Sequence, residues 1–203
     1  MEYAEYLKLW ANIMLHPGKN TKKELSVKNA FKMYYALAII PVVLGLVLVY
    51  LEGGFNPFSA TAGFASMHYA LFETLNNYKV AIGAAFVLLL ILVLEPVSML
   101  ANSALYHLIV CKLFRVYNKK YPAVFTAVMY GVLPALMVYW LYPAGYIGSL
   151  FMGIFGIWGL VVEIIALSNL LKISRLKALG TIILYALTVF VVAFVVAAIA
   201  AVA

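Results

Sequence analysis

Two carboxyl groups stand where they are hardest to hydrate. Glu95 follows the uncharged run 80–94 within LLLILVLEPVSMLANSALYHLIVCK (88–112), and Glu163 lies inside YIGSLFMGIFGIWGLVVEIIALSNLL (146–171). At about 100° per residue on a helix, Glu95, Ser98, Asn102 and Tyr106 share a narrow stripe. Ser149, Gly153, Gly156, Gly159 and Glu163 fall within about 120° of one another, with Ser168 and Asn169 roughly a turn beyond. A carboxyl facing lipid is costly, so both stripes are expected to face protein or a water pocket. Two chemistries fit this pattern. Intramembrane carboxylates can bind a cation or pass a proton along a pathway. Equally, each carboxyl can be held protonated by desolvation and hydrogen-bond to Asn102, Asn169, a tyrosine or a backbone carbonyl. The stripes place both groups toward the cytoplasmic half, where a proton shared between them would link two helices.

Other chemistries find no footing. There is no Gly-x-Ser-x-Gly elbow, no His-Glu-x-x-His and no phosphate loop, and the chain contains no aspartate. Cys111 is the only cysteine, which excludes an intrachain disulfide and a thiolate metal cluster. His68 and Glu73 are scattered over a loop, and His107, at a membrane exit beside basic residues, reads as an interfacial hydrogen-bonding group. No metal, no cofactor and no enzymatic activity are expected.

The elements that must position these groups are membrane spans. The chain has 203 residues, 67% hydrophobic and 10% charged, with a mean hydropathy of +1.06. A soluble domain is closer to half apolar and about a quarter charged. A crossing of ~30 Å takes about 20 apolar residues, and five stretches qualify: 33–51, 80–105, 123–142, 146–171 and 178–203. The expected fold is therefore all-α, a polytopic bundle of five transmembrane helices. Pro41, Pro96 and Pro134 lie inside three of them and are expected to kink them and leave a gap. The stripe of Ser149, Gly153, Gly156 and Gly159 is expected to admit a neighbouring helix closely, within the chain or in a homo-oligomer.

Basic residues set the orientation. Six lysines precede the first span, among them Lys19, Lys22 and Lys23; Lys112, Arg115, Lys119 and Lys120 separate spans two and three; Lys172, Arg175 and Lys177 separate four and five. Only Lys79 falls on the other side. Cytoplasmic flanks collect such residues, which puts the amino terminus inside and the carboxyl terminus outside. The net charge of +7 is accordingly a topology signal and an attraction to anionic headgroups on the inner face. Dispersed over three short segments, it does not describe a nucleic-acid surface. Residues 1–32 form a cytoplasmic segment in which Tyr3, Tyr6, Leu7, Trp10, Ile13 and Met14 share a helical face. That face is expected to lie in the membrane interface with Trp10 as anchor, or alternatively to pack on the protein's own helices. Residues 33–203 form the transmembrane domain, whose outer loop is expected to carry a short amphipathic helix from Phe64 to Leu75.

The order of these segments resembles a known family. An amino-terminal Trp10, Met14-Leu15 and Pro17 precede five spans. His107 and Lys112-Leu113-Phe114 leave the second; AVMYGVLPAL (127–136) lies in the third and YIGSLFMGIFGIWGLVVEIIALSNLLKISRLKAL (146–179) covers the fourth and its exit. The pattern is similar to the Yip family, five-span membrane proteins named for interaction with Rab-type GTPases in eukaryotic secretory membranes. Tyr130, Gly131 and Pro134, with Gly153, Gly156 and Trp158, carry most of the likeness. Eukaryotic members have a long cytosolic region with an Asp-Leu-x-Gly-Pro motif, which this sequence lacks, so Rab binding is not carried over and the minimal prokaryotic branch is the better match. The resemblance implies a non-enzymatic scaffold or adaptor that organises lipid or recruits a cytosolic protein partner. The alternative is a small cation or proton channel using Glu95 and Glu163.

Overall fold

A chain in lipid must satisfy its backbone internally, and helices do so within one segment. The computed structural model describes residues 3–51, 78–115 and 120–202, and its elements are all helical. They are α1 (Tyr3–Leu15), α2 (Pro17–Asn20), α3 (Val27–Leu51), α4 (Lys79–Leu89), a π segment (Leu90–Leu94), α5 (Glu95–Lys112), α6 (Tyr121–Leu136), a 3-10 segment (Tyr139–Ala144), α7 (Tyr146–Leu171) and α8 (Arg175–Val202). The expected helix at 64–75 and Lys119 lie outside the described residues.

Four helical runs are long and apolar enough to cross a membrane: Val27–Leu51, Val80–Lys112, Tyr146–Leu171 and Arg175–Ala197. Two extend further at their basic ends than expected. The first begins at Val27 instead of Met33, and the second runs to Lys112 instead of Leu105. Lysine is a good helix former whose long stem lets the charge reach water, so basic flanks continue the helix. The stretch expected at 123–142 departs most. Its α-helix has 16 residues and stops at Leu136, and the chain tightens into the 3-10 segment. Val138, Tyr139 and Trp140 are weak helix formers, and Pro143 disfavours helix in the residue before it. Gly145, with φ of +61°, then takes the left-handed turn that starts α7.

The short helix is the hub. Twelve of the 16 residues of α6 are buried, Pro134 among them, between α3, α5 and α7. Pro41 is likewise buried inside α3, which runs unbroken to Leu51. The gap expected around the prolines is therefore filled with side chains at both of these positions. At the end of the bundle away from the lysines, Gly45 brings α3 against α4 and the 3-10 segment: a Cβ there would lie 3.0 Å from Val87 Cγ1 and 3.5 Å from Trp140 Cα. The last helix, α8, is peripheral. Ala178 and Thr181 are buried and Ile182 and Tyr185 pack inward, whereas Phe190, Val192 and Phe194 are exposed.

The amino-terminal helix corrects one expectation. Ile13 is fully buried, and Tyr6, Leu7 and Trp10 pack against the core. The indole Nε1 of Trp10 is buried with no hydrogen-bond partner among the described residues. The apolar face that was to meet lipid meets protein, because an amphipathic pattern reports only that a face seeks an apolar neighbour. After α2 the irregular residues 21–26 are drawn onto the bundle. Thr126 Oγ1 accepts from the Leu25 N–H at 3.1 Å and donates to the Leu25 carbonyl at 3.0 Å. The Tyr130 hydroxyl donates to the Lys23 carbonyl (2.9 Å), and Asn169 Nδ2 donates to Thr21 Oγ1 (2.9 Å). Non-helical backbone is tolerated against membrane helices when protein side chains satisfy it in this way.

Candidate functional site

The closest approach in the bundle builds the first carboxyl pocket. At Gly131 of α6, an added Cβ would lie 2.7 Å from Glu163 Cβ and 3.1 Å from Glu163 Oε2; at Gly159 of α7, it would strike the Gly131 carbonyl oxygen. Two glycines thus let α6 and α7 touch backbone to backbone, and Glu163 is laid flat over Gly131. The Tyr106 hydroxyl of α5 lies beside its carboxyl. Tyr185 of α8 stands edge-on to Tyr106, with ring centroids 4.7 Å apart, and donates to Asn102 Oδ1 at 2.5 Å. Glu163, Tyr106, Tyr185 and Asn102 therefore tie α5, α7 and α8 together through one polar cluster.

Glu95 occupies a second pocket. The Tyr139 hydroxyl of the 3-10 segment lies beside its carboxyl. Beside it, Pro96 has no N–H to return to the carbonyls of Ile91 and Leu92, five and four residues earlier. Tyrosines of α3 replace that donor: Tyr34 donates to the Ile91 carbonyl at 2.6 Å and Tyr35 to the Leu92 carbonyl at 3.3 Å. The π segment ends at this point, with the Glu95 N–H bonded to the Leu90 carbonyl. The kink expected at Pro96 takes the form of this π segment and its two tyrosine caps.

The two carboxyls do not form the pair the sequence led us to expect. At 1.5 Å per residue, Glu95 stands about 25 Å above Lys112 at the end of α5, and Glu163 about 12 Å above Leu171 at the end of α7. Counted to these helix ends, Glu163 lies closer to the basic end, and Glu95 stands near the middle of the run Val80–Lys112. The expectation ended that span at Leu105, and the seven further residues to Lys112 move its centre to Glu95. Each carboxyl has its own tyrosine neighbour, Tyr139 for Glu95 and Tyr106 for Glu163, in place of the other carboxyl.

The remaining residues distribute as follows. Ser98 bonds the Glu95 carbonyl of its own helix at 2.8 Å, so it caps a turn and does not enter the cluster. His107 lies edge-on to Tyr121, with centroids 5.9 Å apart, and near the Cys111 sulfur. Asn169 serves the amino-terminal segment rather than Glu95. Of the small-residue stripe, Gly159 is packed, whereas Ser149 and Gly153 are exposed and a Cβ at Gly153 or Gly156 would meet nothing within 4 Å. That corrects the stripe as a packing surface within the chain. Lys19, Lys22, Lys23, Lys112, Arg115 and Lys120 are all exposed. Among the described residues no three His, Cys, Asp or Glu side chains gather as a metal site. The sequence suggested no role for Tyr185 and Thr126, and offered Tyr34 and Tyr139 only as interfacial aromatics at span ends; a hydroxyl on an otherwise apolar helix was the available signal.

Comparison with curated proteins and with solved structures gave no match. Residues 11–197, nearly the whole chain, match the Yip1 domain. The match takes in Gly131 and Gly159, the strap-holding Thr126, Tyr130 and Asn169, and both carboxyl pockets. With its apolar helices, the protein is an integral, multi-pass membrane protein, and it belongs to the Yip family.

Proposed function

We propose that the protein is a non-catalytic membrane scaffold or adaptor with five spans, its amino terminus in the cytosol and its carboxyl terminus outside. The α6 helix and the 3-10 segment together make the third crossing: 16 residues at about 1.5 Å and six at about 2.0 Å reach roughly 36 Å. An odd count agrees with the basic residues gathering on one side. The observation that carries the functional reading is the fastening of residues 21–26 by Thr126, Tyr130 and Asn169. Buried membrane-helix side chains hold an irregular segment in one place, so that the exposed Lys19, Lys22 and Lys23 sit on a fixed platform, which Asn169 near the end of α7 ties to that helix. A fixed basic surface suits recruitment of an acidic cytosolic protein or anionic headgroups.

Two measurements test this. The protein reconstituted in liposomes is expected to pass neither protons nor monovalent cations, and a flux abolished by Glu163→Gln overturns the scaffold reading. Reversing Lys19, Lys22 and Lys23 to glutamate is expected to preserve the fold. It should also remove the neighbours marked by a proximity-labelling enzyme fused to the amino terminus in native membranes. An unchanged set of neighbours overturns the adaptor role.

A further inference from the structure

The π segment and Pro96 have a second consequence on the outer surface of the bundle. They leave a groove of about 400 Å³ between α3 and α5, lined by Phe31, Tyr35, Leu92, Pro96, Val97 and Leu100. Its walls are hydrocarbon and aromatic, and Val97 at its rim is 57% exposed. An aromatic ladder backs it: Tyr35 and Phe31 have centroids 6.1 Å apart, Phe31 and Phe125 5.0 Å, and Phe125 and Tyr121 6.1 Å. These rings make its floor stiff, unlike the surface of a helix bearing only aliphatic side chains.

Charge marks one end of the groove. Lys28, Phe31, Lys32 and Tyr35 fall in an arc of about 100° on α3, so two exposed lysines lie on the same side as two lining aromatics. Tyr121 donates to the Leu100 carbonyl at 3.2 Å, which brings the exposed Lys120, the residue before it, to the same corner. An apolar trough that opens to the membrane and ends at lysines at interface depth matches an amphiphile with a long hydrocarbon chain and a negative head.

We infer that the groove between α3 and α5 is a binding site for one anionic phospholipid, its acyl chain along Leu92 to Leu100 and its phosphate at Lys28, Lys32 and Lys120. The aromatic floor selects a chain by shape, and the lysines select the headgroup by charge. Both act beside the place where Tyr34 and Tyr35 tie α3 to the π segment.

Native mass spectrometry of the full-length protein with equimolar phosphatidylglycerol and phosphatidylcholine tests this. Wild type is expected to retain one phosphatidylglycerol, favoured about tenfold over phosphatidylcholine. Val97→Trp fills the groove from an exposed position and is expected to abolish retention, whereas Ile157→Trp, at a 68% exposed position on α7, is expected to match wild type. Lys28→Gln with Lys32→Gln is expected to remove the headgroup preference and keep chain binding. A second measurement needs no variant: phosphatidylglycerol carrying a diazirine on its chain is expected to crosslink to residues 92–100 in preference to residues 193–197 of α8, which are exposed and line no groove among the described residues. Equal retention of the two lipids by wild type, undiminished retention by Val97→Trp, or an even spread of crosslinks overturns the site.

Discussion

Glu163 lies over Gly131, so close that a methyl group on the glycine would come 2.7 Å from the glutamate Cβ. One contact thereby sets two things, the approach of α6 to α7 and the placement of the carboxyl beneath the Tyr106 hydroxyl. The Tyr-Gly-x-x-Pro stretch of α6 gains a physical meaning from it. Tyr130 holds the amino-terminal segment, Gly131 makes room for Glu163, and Pro134 is absorbed into a packed core.

Gly131→Ala and Gly159→Ala should each lower thermal stability in detergent, by about 1–3 kcal/mol, the usual cost of overpacking. Gly153→Ala and Gly156→Ala meet open space and should be neutral or stabilising, by up to about 1 kcal/mol, from helix propensity. Equal losses at Gly153, Gly156 and Gly159 would show that the stripe packs as a unit.

Tyr34 stands in for the N–H that Pro96 lacks. Removing its hydroxyl with Tyr34→Phe leaves a buried carbonyl unpaired, at a cost of about 1–3 kcal/mol. In a Pro96→Ala background the restored N–H can take up that carbonyl, so the same substitution should cost less. A double-mutant cycle reads this coupling, and a cycle that closes at zero contradicts the capping role.

The separation of the carboxyls has its own signature. Glu95→Gln and Glu163→Gln should each be mild, because glutamine still accepts a hydrogen bond from Tyr139 or Tyr106. Together their effects on unfolding should add within about 0.5 kcal/mol. Coupling well above that would restore the shared-proton arrangement. Tyr106→Phe should be more harmful than Glu163→Gln, since it leaves a buried carboxyl without its donor.

The strap at residues 21–26 is held by few bonds and should release when they are cut. Thr126→Val removes both partners of the Leu25 backbone, and Tyr130→Phe removes the donor to Lys23. Trypsin should then cleave after Lys22 and Lys23 faster than in wild type, by roughly tenfold for each 1.4 kcal/mol lost. Unchanged cleavage in the double variant would mean that α1 docking alone secures the segment.

A topology reporter fused before Met1 should read inside and one after Ala203 outside. Two termini on one side would leave α6 and its 3-10 extension as an enclosed re-entrant segment and not a crossing.

The sequence by itself determined the solvent, the helical class and the azimuth of the polar groups. Long apolar runs leave no other backbone solution in lipid, and helical periodicity assigned Asn102, Tyr106 and Glu163 to faces that do turn inward. The tertiary structure alone decided depth and partnership. Periodicity describes rotation about one helix axis and carries no information on how far a neighbour is displaced along it. That displacement depends on where Gly131 meets Gly159 and on the extension of α5 to Lys112. For the same reason, the destination of the Trp10 face, lipid or protein, was open until the bundle offered α1 a complementary surface. The placement of Tyr34 opposite a carbonyl 57 residues away likewise required the folded chain.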